Sequence, residues 1–237
     1  MGNEEAKELC VIATGVYEHA LKDLALAYES RSGRRVGFVI TNAGGVASKL
    51  EASQAADVVM TSSVGIDSLA SKGRVVASSK IDIGGMRLGI AVKAGAALPD
   101  LDSSDAVRTA LRRATVASID PHGGGTSGPF IERLFQRLGI AEEVRAKGVL
   151  CATGADVVRA VSSSRATLGI TQAAELIGIA GVAFAGFLPD ELQLVTVYSA
   201  AVAVNASLPV AAADFIAFMT GPAGAERLRQ SGWSLPA

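Results

Sequence analysis

The sequence predicts an α/β protein of two lobes joined by a hinge, and three observations lead there. Short apolar runs alternate with amphipathic stretches along the whole chain, the βα alternation that builds parallel sheets. The 237 residues suffice for two lobes of ordinary size, and 49% of them are hydrophobic. A first βαβαβα set ends before residue 85, a second α/β set follows, and a long apolar run at 195–204 leads back to the first. The expected division is 1–84 plus 199–237 for one lobe and 85–198 for the other.

In the first lobe, residues 9–13 read as a buried strand, Thr14-Gly15 as a turn and 16–30 as a helix with Val16, Ala20, Leu24 and Ala27 on one face. The next strand is 36–40, followed by the polar turn Thr41-Asn42-Ala43-Gly44-Gly45 and a helix at 46–52. A third strand at 58–60 ends in Thr61-Ser62-Ser63 before a helix at 64–71. In the second lobe, strands are expected at 87–92, 115–119, 149–150 and 168–171. Helices are expected up to about residue 113, at 130–138, at 154–162 and from Gln172. The chain closes with helices at 211–219 and 223–229. Extended strands near Met86 and Val197 would join the lobes and serve as the hinge.

Every strand of the first lobe ends in small or hydroxyl residues, and a helix starts at once. In open parallel sheets the ligand crevice lies at the carboxyl ends of the strands. Helix N-termini present unpaired amides and the positive end of the macrodipole, so several aimed at one point bind an anion without Lys or Arg. The candidate contacts are Thr14, Gly15, Asn42, Ala43, Gly44, Thr61, Ser62 and Ser63. The second lobe adds the Gly-rich segment 120–129, with Gly124, Gly125, Thr126, Ser127 and Gly128 as candidates. Each charge-assisted hydrogen bond adds about 1.5–3 kcal/mol, so about six suffice for micromolar binding. The same residue types cap ordinary βα turns. His122, beside the glycines, is open to roles as ligand contact, general base or plain loop residue.

Other chemistries find no support. The Gly run is followed by no Gly-Lys-Ser/Thr, does not fit GxGxxG, and no Gly-x-Ser-x-Gly elbow occurs, so no cofactor is expected. His19 and His122 lack ligand spacing, and no metal is expected. Cys10 and Cys151 are lone cysteines in apolar surroundings and read as buried free thiols. A formal net charge of −1, no basic stripe and 5% aromatics exclude a nucleic-acid partner. The apolar stretches 176–188 and 195–213 are too short or too interrupted by Gly and polar residues to insert in a membrane. Met1-Gly2-Asn3-Glu4-Glu5 shows no leader, so the expected compartment is the periplasm if a leader has been removed and the cytoplasm otherwise.

Over nearly its whole length the chain resembles the type II periplasmic binding proteins of the molybdate-binding branch. The cues are Ile12-Ala13-Thr14-Gly15 leading to Ala20-Leu21, then Ala56-Asp57-Val58-Val59-Met60-Thr61-Ser62. Others are Phe135-Gln136-Arg137-Leu138-Gly139-Ile140, Leu168-Gly169-Ile170, and Phe215-Ile216-Ala217-Phe218-Met219 with Gly221-Pro222. The resemblance implies two Rossmann-like lobes, hinge closure on a small anionic ligand in the cleft between them, a monomer, and an ABC-type permease as partner. Ligand positions in three segments depart from the molybdate pattern. The family's first-turn serine matches Val16, its paired serines match Asn42 and Ala43, and its contacting tyrosine matches Gln172. The stretch Gly169-Ile170-Thr171-Gln172-Ala173-Ala174-Glu175, with residues 186–193, is closer to a divergent branch that includes aconitate isomerase. That branch implies a carboxylate ligand. Two functions therefore stand side by side: a solute-binding protein for a small carboxylate or oxyanion, and an isomerase with His122 as base and helix-end amides stabilising an enolate-like intermediate.

Overall fold

The computed structural model describes residues 7–236; the Met1–Glu5 segment read for a leader lies outside them. The chain divides into two units, one ending at Gly85 and resuming at Val197, the other Met86–Thr196. Strands β1 (Leu9–Thr14), β2 (Val36–Thr41) and β3 (Val58–Ser62) alternate with helices α1 (Glu18–Ser32), α2 (Ala43–Glu51) and α3 (Ser63–Ser71). Strand β4 (Ile81–Lys93) runs from the first unit into the second. There follow α4 (Ser104–Arg113), β5 (Val116–Ile119), α5 (Gly128–Arg137), α6 (Ala141–Lys147), β6 (Val149–Cys151), α7 (Gly154–Ser162), β7 (Leu168–Gln172) and β8 (Val182–Phe187). Strand β9 (Val195–Val202) re-enters the first unit, which ends with α8 (Pro209–Thr220) and α9 (Pro222–Gln230).

In the first unit the strand order is β2-β1-β3-β9. The first three strands are parallel, as expected, so their carboxyl ends share one edge, whereas β9 runs antiparallel to β3. Register partners share a face of a sheet. Ile12, Val59 and Ala201 are such partners, and they pack with Val46 and Leu50 of α2 and Ile66 and Leu69 of α3. Tyr28 of α1 meets Phe215 of α8 edge-on at 5.0 Å. Burying those aromatic and aliphatic groups fixes the helices against the sheet at about 1.5–3 kcal/mol per large side chain. Asp57 stands at the entry to β3, 1% exposed. Its carboxylate accepts from the Cys10 amide at 2.9 Å, the Leu208 amide at 2.9 Å and Ser207 Oγ at 3.1 Å, which ties β1, β3 and the segment before α8 together.

In the second unit β5 pairs in parallel with both β6 and β7, while β4 pairs antiparallel with β7 and β8. Leu88, Ile90, Val107, Leu111, Phe135 and Leu168 form its larger apolar cluster. Cys151 is buried as the sequence implied, but Cys10 is only half-buried, because it stands near the start of β1 beside the exposed Glu8. No helix among the described residues is long and apolar enough to cross a membrane.

Candidate functional site

The carboxyl ends of β1, β2 and β3 carry threonines in one register row. Thr14 pairs with Thr41, and Ala13 with Met60 one step before the end. Thr61 pairs in turn with Ser199 of β9. Four hydroxyl residues, Thr41, Thr14, Thr61 and Ser199, thus line one edge of the first unit's sheet, two residues beyond the Ile12–Val59–Ala201 row and on the same face. That face carries α2 and α3, so the row lies beneath the starts of those helices.

The packing there leaves no room for a side chain. A Cβ on Gly45 would sit 2.1 Å from Thr41 Oγ1, and one on Gly65 would sit 2.9 Å from Thr61 Cγ2. Each glycine lies four residues after its threonine, and each donates its amide to the residue that follows that threonine. Asn42 Oδ1 accepts from Gly45 at 2.8 Å, and Ser62 Oγ accepts from Gly65 at 3.2 Å. Both are N-caps of their helices. The two turns are therefore one device used twice, Thr41-Asn42-Ala43-Gly44-Gly45 and Thr61-Ser62-Ser63-Val64-Gly65. The equal Thr-to-Gly spacing was readable in the sequence. It adds Thr41, part of the polar turn but not among the candidate contacts, to the row.

Two hydroxyls of the row have no hydrogen-bond partner. Thr14 Oγ1 and Thr61 Oγ1 are both buried, with the residues 5% and 2% exposed. A buried hydroxyl without a partner costs about 1–3 kcal/mol, so the pair marks this edge as a candidate site. Ser62 Oγ, already accepting from Gly65, has its own proton to give. With the amides of the turns, this edge offers hydrogen-bond donors. Beside it, Tyr17 stacks on Trp233 at 4.8 Å and meets Tyr198 edge-on at 5.8 Å. Burial pushes the Tyr17 phenol well above its ordinary range, with Tyr198 and Asp82 adding to the shift.

The second unit has its own strand-end groups. After β5, Asp120 Oδ1 accepts from the His122 amide at 2.9 Å, and the turn closes through Gly123 N to Asp120 O at 3.1 Å. Gly128 opens α5 so close to that turn that a Cβ would fall 2.5 Å from the Asp120 carbonyl oxygen. Ser127 and Gly128 are buried, whereas His122, Gly124 and Thr126 are exposed and Gly125 is half-buried. At the end of β7, Gln172 is 3% exposed; its Nε2 donates to Thr196 Oγ1 at 3.3 Å, and its Oε1 is buried without a partner. Glu175 accepts from Thr171 Oγ1 at 2.6 Å and lies over the first residue of α7, where a Cβ on Gly154 would sit 2.1 Å from its carboxyl carbon. The sequence placed Glu175 at the start of its own helix. It complements the dipole of α7 instead, because only a short 3-10 turn, Ala173–Glu175, follows β7. Among the described residues no group of three or more His, Cys, Asp or Glu could hold a metal.

Residues 9–234 match the family model described as bacterial extracellular solute-binding protein. An aconitate isomerase from a Pseudomonas species is 28% identical over 231 residues, covering 94% of this chain and 86% of that protein. The periplasmic molybdate-binding protein of Azotobacter vinelandii superposes with a TM-score of 0.84 at 19% identity, over 97% of this chain and all of the other. A periplasmic thiamin binding protein gives 0.76 at 15% identity, over 99% and 85% of the two chains. The structural likenesses establish the α/β fold of the type II periplasmic binding proteins, and the matches bear out the resemblance carried by the strand-end motifs.

Proposed function

Because this chain belongs to the bacterial extracellular solute-binding protein family, we propose that it delivers a small organic carboxylate to an ABC-type permease. In this reading it works as a monomer in the periplasm. The supporting observation is the pair of buried, unpartnered hydroxyls, Thr14 and Thr61, at the shared edge of three strands that each lead into a helix start. The carboxylate accepts from these hydroxyls, from Ser62 and from the turn amides at Gly15, Ala43, Gly44 and Ser63. Asn42 orients its turn. In the second unit the turn amides from Gly124 to Gly128, the Thr126 and Ser127 hydroxyls and Gln172 are the contacts. The choice of carboxylate over molybdate rests on Val16, Asn42, Ala43 and Gln172, which stand where the molybdate branch has hydroxyl ligands.

A thermal-shift panel of molybdate, sulfate, phosphate and di- and tricarboxylates tests the proposal. A ligand at 100 times its dissociation constant adds about 2.7 kcal/mol, which is about 5–11 °C for a chain of this size. Carboxylates are expected to give that shift, and molybdate and sulfate none. A shift with molybdate and none with any carboxylate overturns the ligand assignment.

The aconitate isomerase relative supports a second reading, a 1,3-proton shift on an unsaturated polycarboxylate. A base removes a proton next to a carboxylate, the amides hold the resulting enolate-like anion, and the proton returns two carbons away. His122 is the base in this reading; it is exposed, on a backbone held by Asp120. Incubation with cis- or trans-aconitate, followed by the vinyl proton in NMR, decides between the readings. Isomerisation that His122→Ala abolishes while binding persists supports the enzyme. Neither exchange nor isomerisation removes it, and full activity in the variant removes His122.

A further inference from the structure

We propose that Asp82 makes this site select ligands that carry a hydroxyl beside the carboxylate, an inference that rests on the carboxylate reading above. Asp82 is the second residue of β4 and belongs to the first unit. Its Oδ1 accepts from Ser199 Oγ at 2.5 Å and from Ser63 Oγ at 3.4 Å. Ser199 is the fully buried end of the hydroxyl row, and Ser63 is the first residue of α3. Tyr17 supports the same point, its hydroxyl donating to the Ser199 carbonyl at 3.3 Å. The carboxylate is thereby fixed at the rim of the proposed site.

Two consequences follow from those bonds. A hydroxyl has one proton, so Ser63 and Ser199, having given theirs to Asp82, turn lone pairs towards anything else nearby. The Asp82 charge also has no cation paired with it among the described residues; neighbouring Lys80 is engaged by Asp67 at 2.6 Å. One end of the edge, at Thr14, Thr61 and Ser62, is thus a set of donors, and the other, at Asp82, is an acceptor with a negative charge. A fully deprotonated anion suits the first end and is repelled at the second. A carboxylate with a hydroxyl on the adjoining carbon suits both, its O–H donating to Asp82. Such a bond to a charged acceptor is among the stronger neutral-to-ion contacts; Asp82 is exposed, so without the ligand hydroxyl its oxygens return to water, which limits the preference.

The test is calorimetric titration with two matched pairs, malate against succinate and citrate against tricarballylate, on the wild-type chain and on Asp82→Asn. The expected wild-type preference for the hydroxylated member is about tenfold, equal to about 1.4 kcal/mol. In Asp82→Asn the preference falls to within about twofold, and succinate and tricarballylate bind more tightly than to the wild type. Should Asp82→Asn fail to fold, Asp82→Ser removes the charge and keeps a partner for Ser199. Equal binding of both members by the wild type, or a preference that survives in the variant, overturns the role of Asp82 alone. Binding of molybdate with no binding of either pair overturns the carboxylate reading and this inference with it.

Discussion

Replacing Thr61 by Val removes one oxygen and keeps both branches of the side chain, which separates ligand binding from stability. Thr61 Oγ1 is buried without a partner, so the ligand-free protein carries an unmet hydrogen bond there. Relieving it is worth about 1–3 kcal/mol. The valine methyl must fit under Gly65, where the existing Cγ2 is already close, so the net gain is placed at the lower end, about 1 kcal/mol. For a chain of this size that raises the ligand-free melting temperature by about 2–4 °C. Affinity moves the other way. Loss of one hydrogen bond to a carboxylate costs about 1.5–3 kcal/mol, or about 10- to 150-fold in the dissociation constant. Thr61→Ser, which restores the hydroxyl, recovers most of the affinity. Thermal melts without ligand and titrations with the best carboxylate of the panel provide both readouts. A Thr61→Val protein that melts below the wild type and binds as tightly would falsify the assignment of this hydroxyl to the ligand.

Three further outcomes are expected. Asp57→Ala strips the partner from two buried amides and from Ser207 Oγ, and denaturant unfolding should show a loss of about 2–5 kcal/mol; a loss below 1 kcal/mol contradicts the tie between β1, β3 and the start of α8. Gly154→Ala puts a methyl where the Glu175 carboxyl lies, so the carboxyl must swing aside and give up Thr171; the loss of about 1 kcal/mol should shrink in the double variant with Glu175→Ala. Additive losses would show that the two groups do not meet. Burial raises the Tyr17 pKa well above its ordinary value near 10. Between the unfolded pKa and the higher folded one, the unfolded chain binds fewer protons than the folded one, so stability falls as pH rises through that window. Melts from pH 8 to 11 should show a decline above about pH 10 that Tyr17→Phe reduces; an equal decline in the variant excludes Tyr17 as its source.

Most of the fold could be read from residue patterns, and the exceptions have physical reasons. The β1, β2 and β3 runs and the parallel pairing of their ends follow from apolar segments closed by Thr and followed by helix. Helix α2 begins at Ala43, three residues before the sequence suggests. Gly44 and Gly45 argue against a helix by propensity, yet the Asn42 cap and the contact of Gly45 with Thr41 outweigh that cost. Helix α6 has no sequence signature because its seven residues are mostly charged and only Val144 is buried. Strand β8 lies in the apolar stretch 176–188, where glycines obscured the period; it pairs with β4 across a register shift at Ile90/Ala91. The hydroxyls of the site were legible because N-caps and turn donors have a local signature. Asp82 was not, since its place beside Ser63 depends on β4 and on a contact 19 positions away in sequence. Nor could any pattern show that Thr14, Thr61 and Gln172 would each bury an oxygen without a partner.

The repeated Thr-to-Gly turn divides labour between neighbouring positions. The threonine and the glycine four residues later hold the backbone, while the position between strand and helix is occupied by Asn42 in one copy and Ser62 in the other. That intervening position is therefore interchangeable only among side chains that still cap the helix by accepting from the glycine amide, as Asn42 and Ser62 both do. An exchange between capping residues there, Asn for Ser or the reverse, changes the hydrogen-bonding groups at the strand end while the turn keeps its shape.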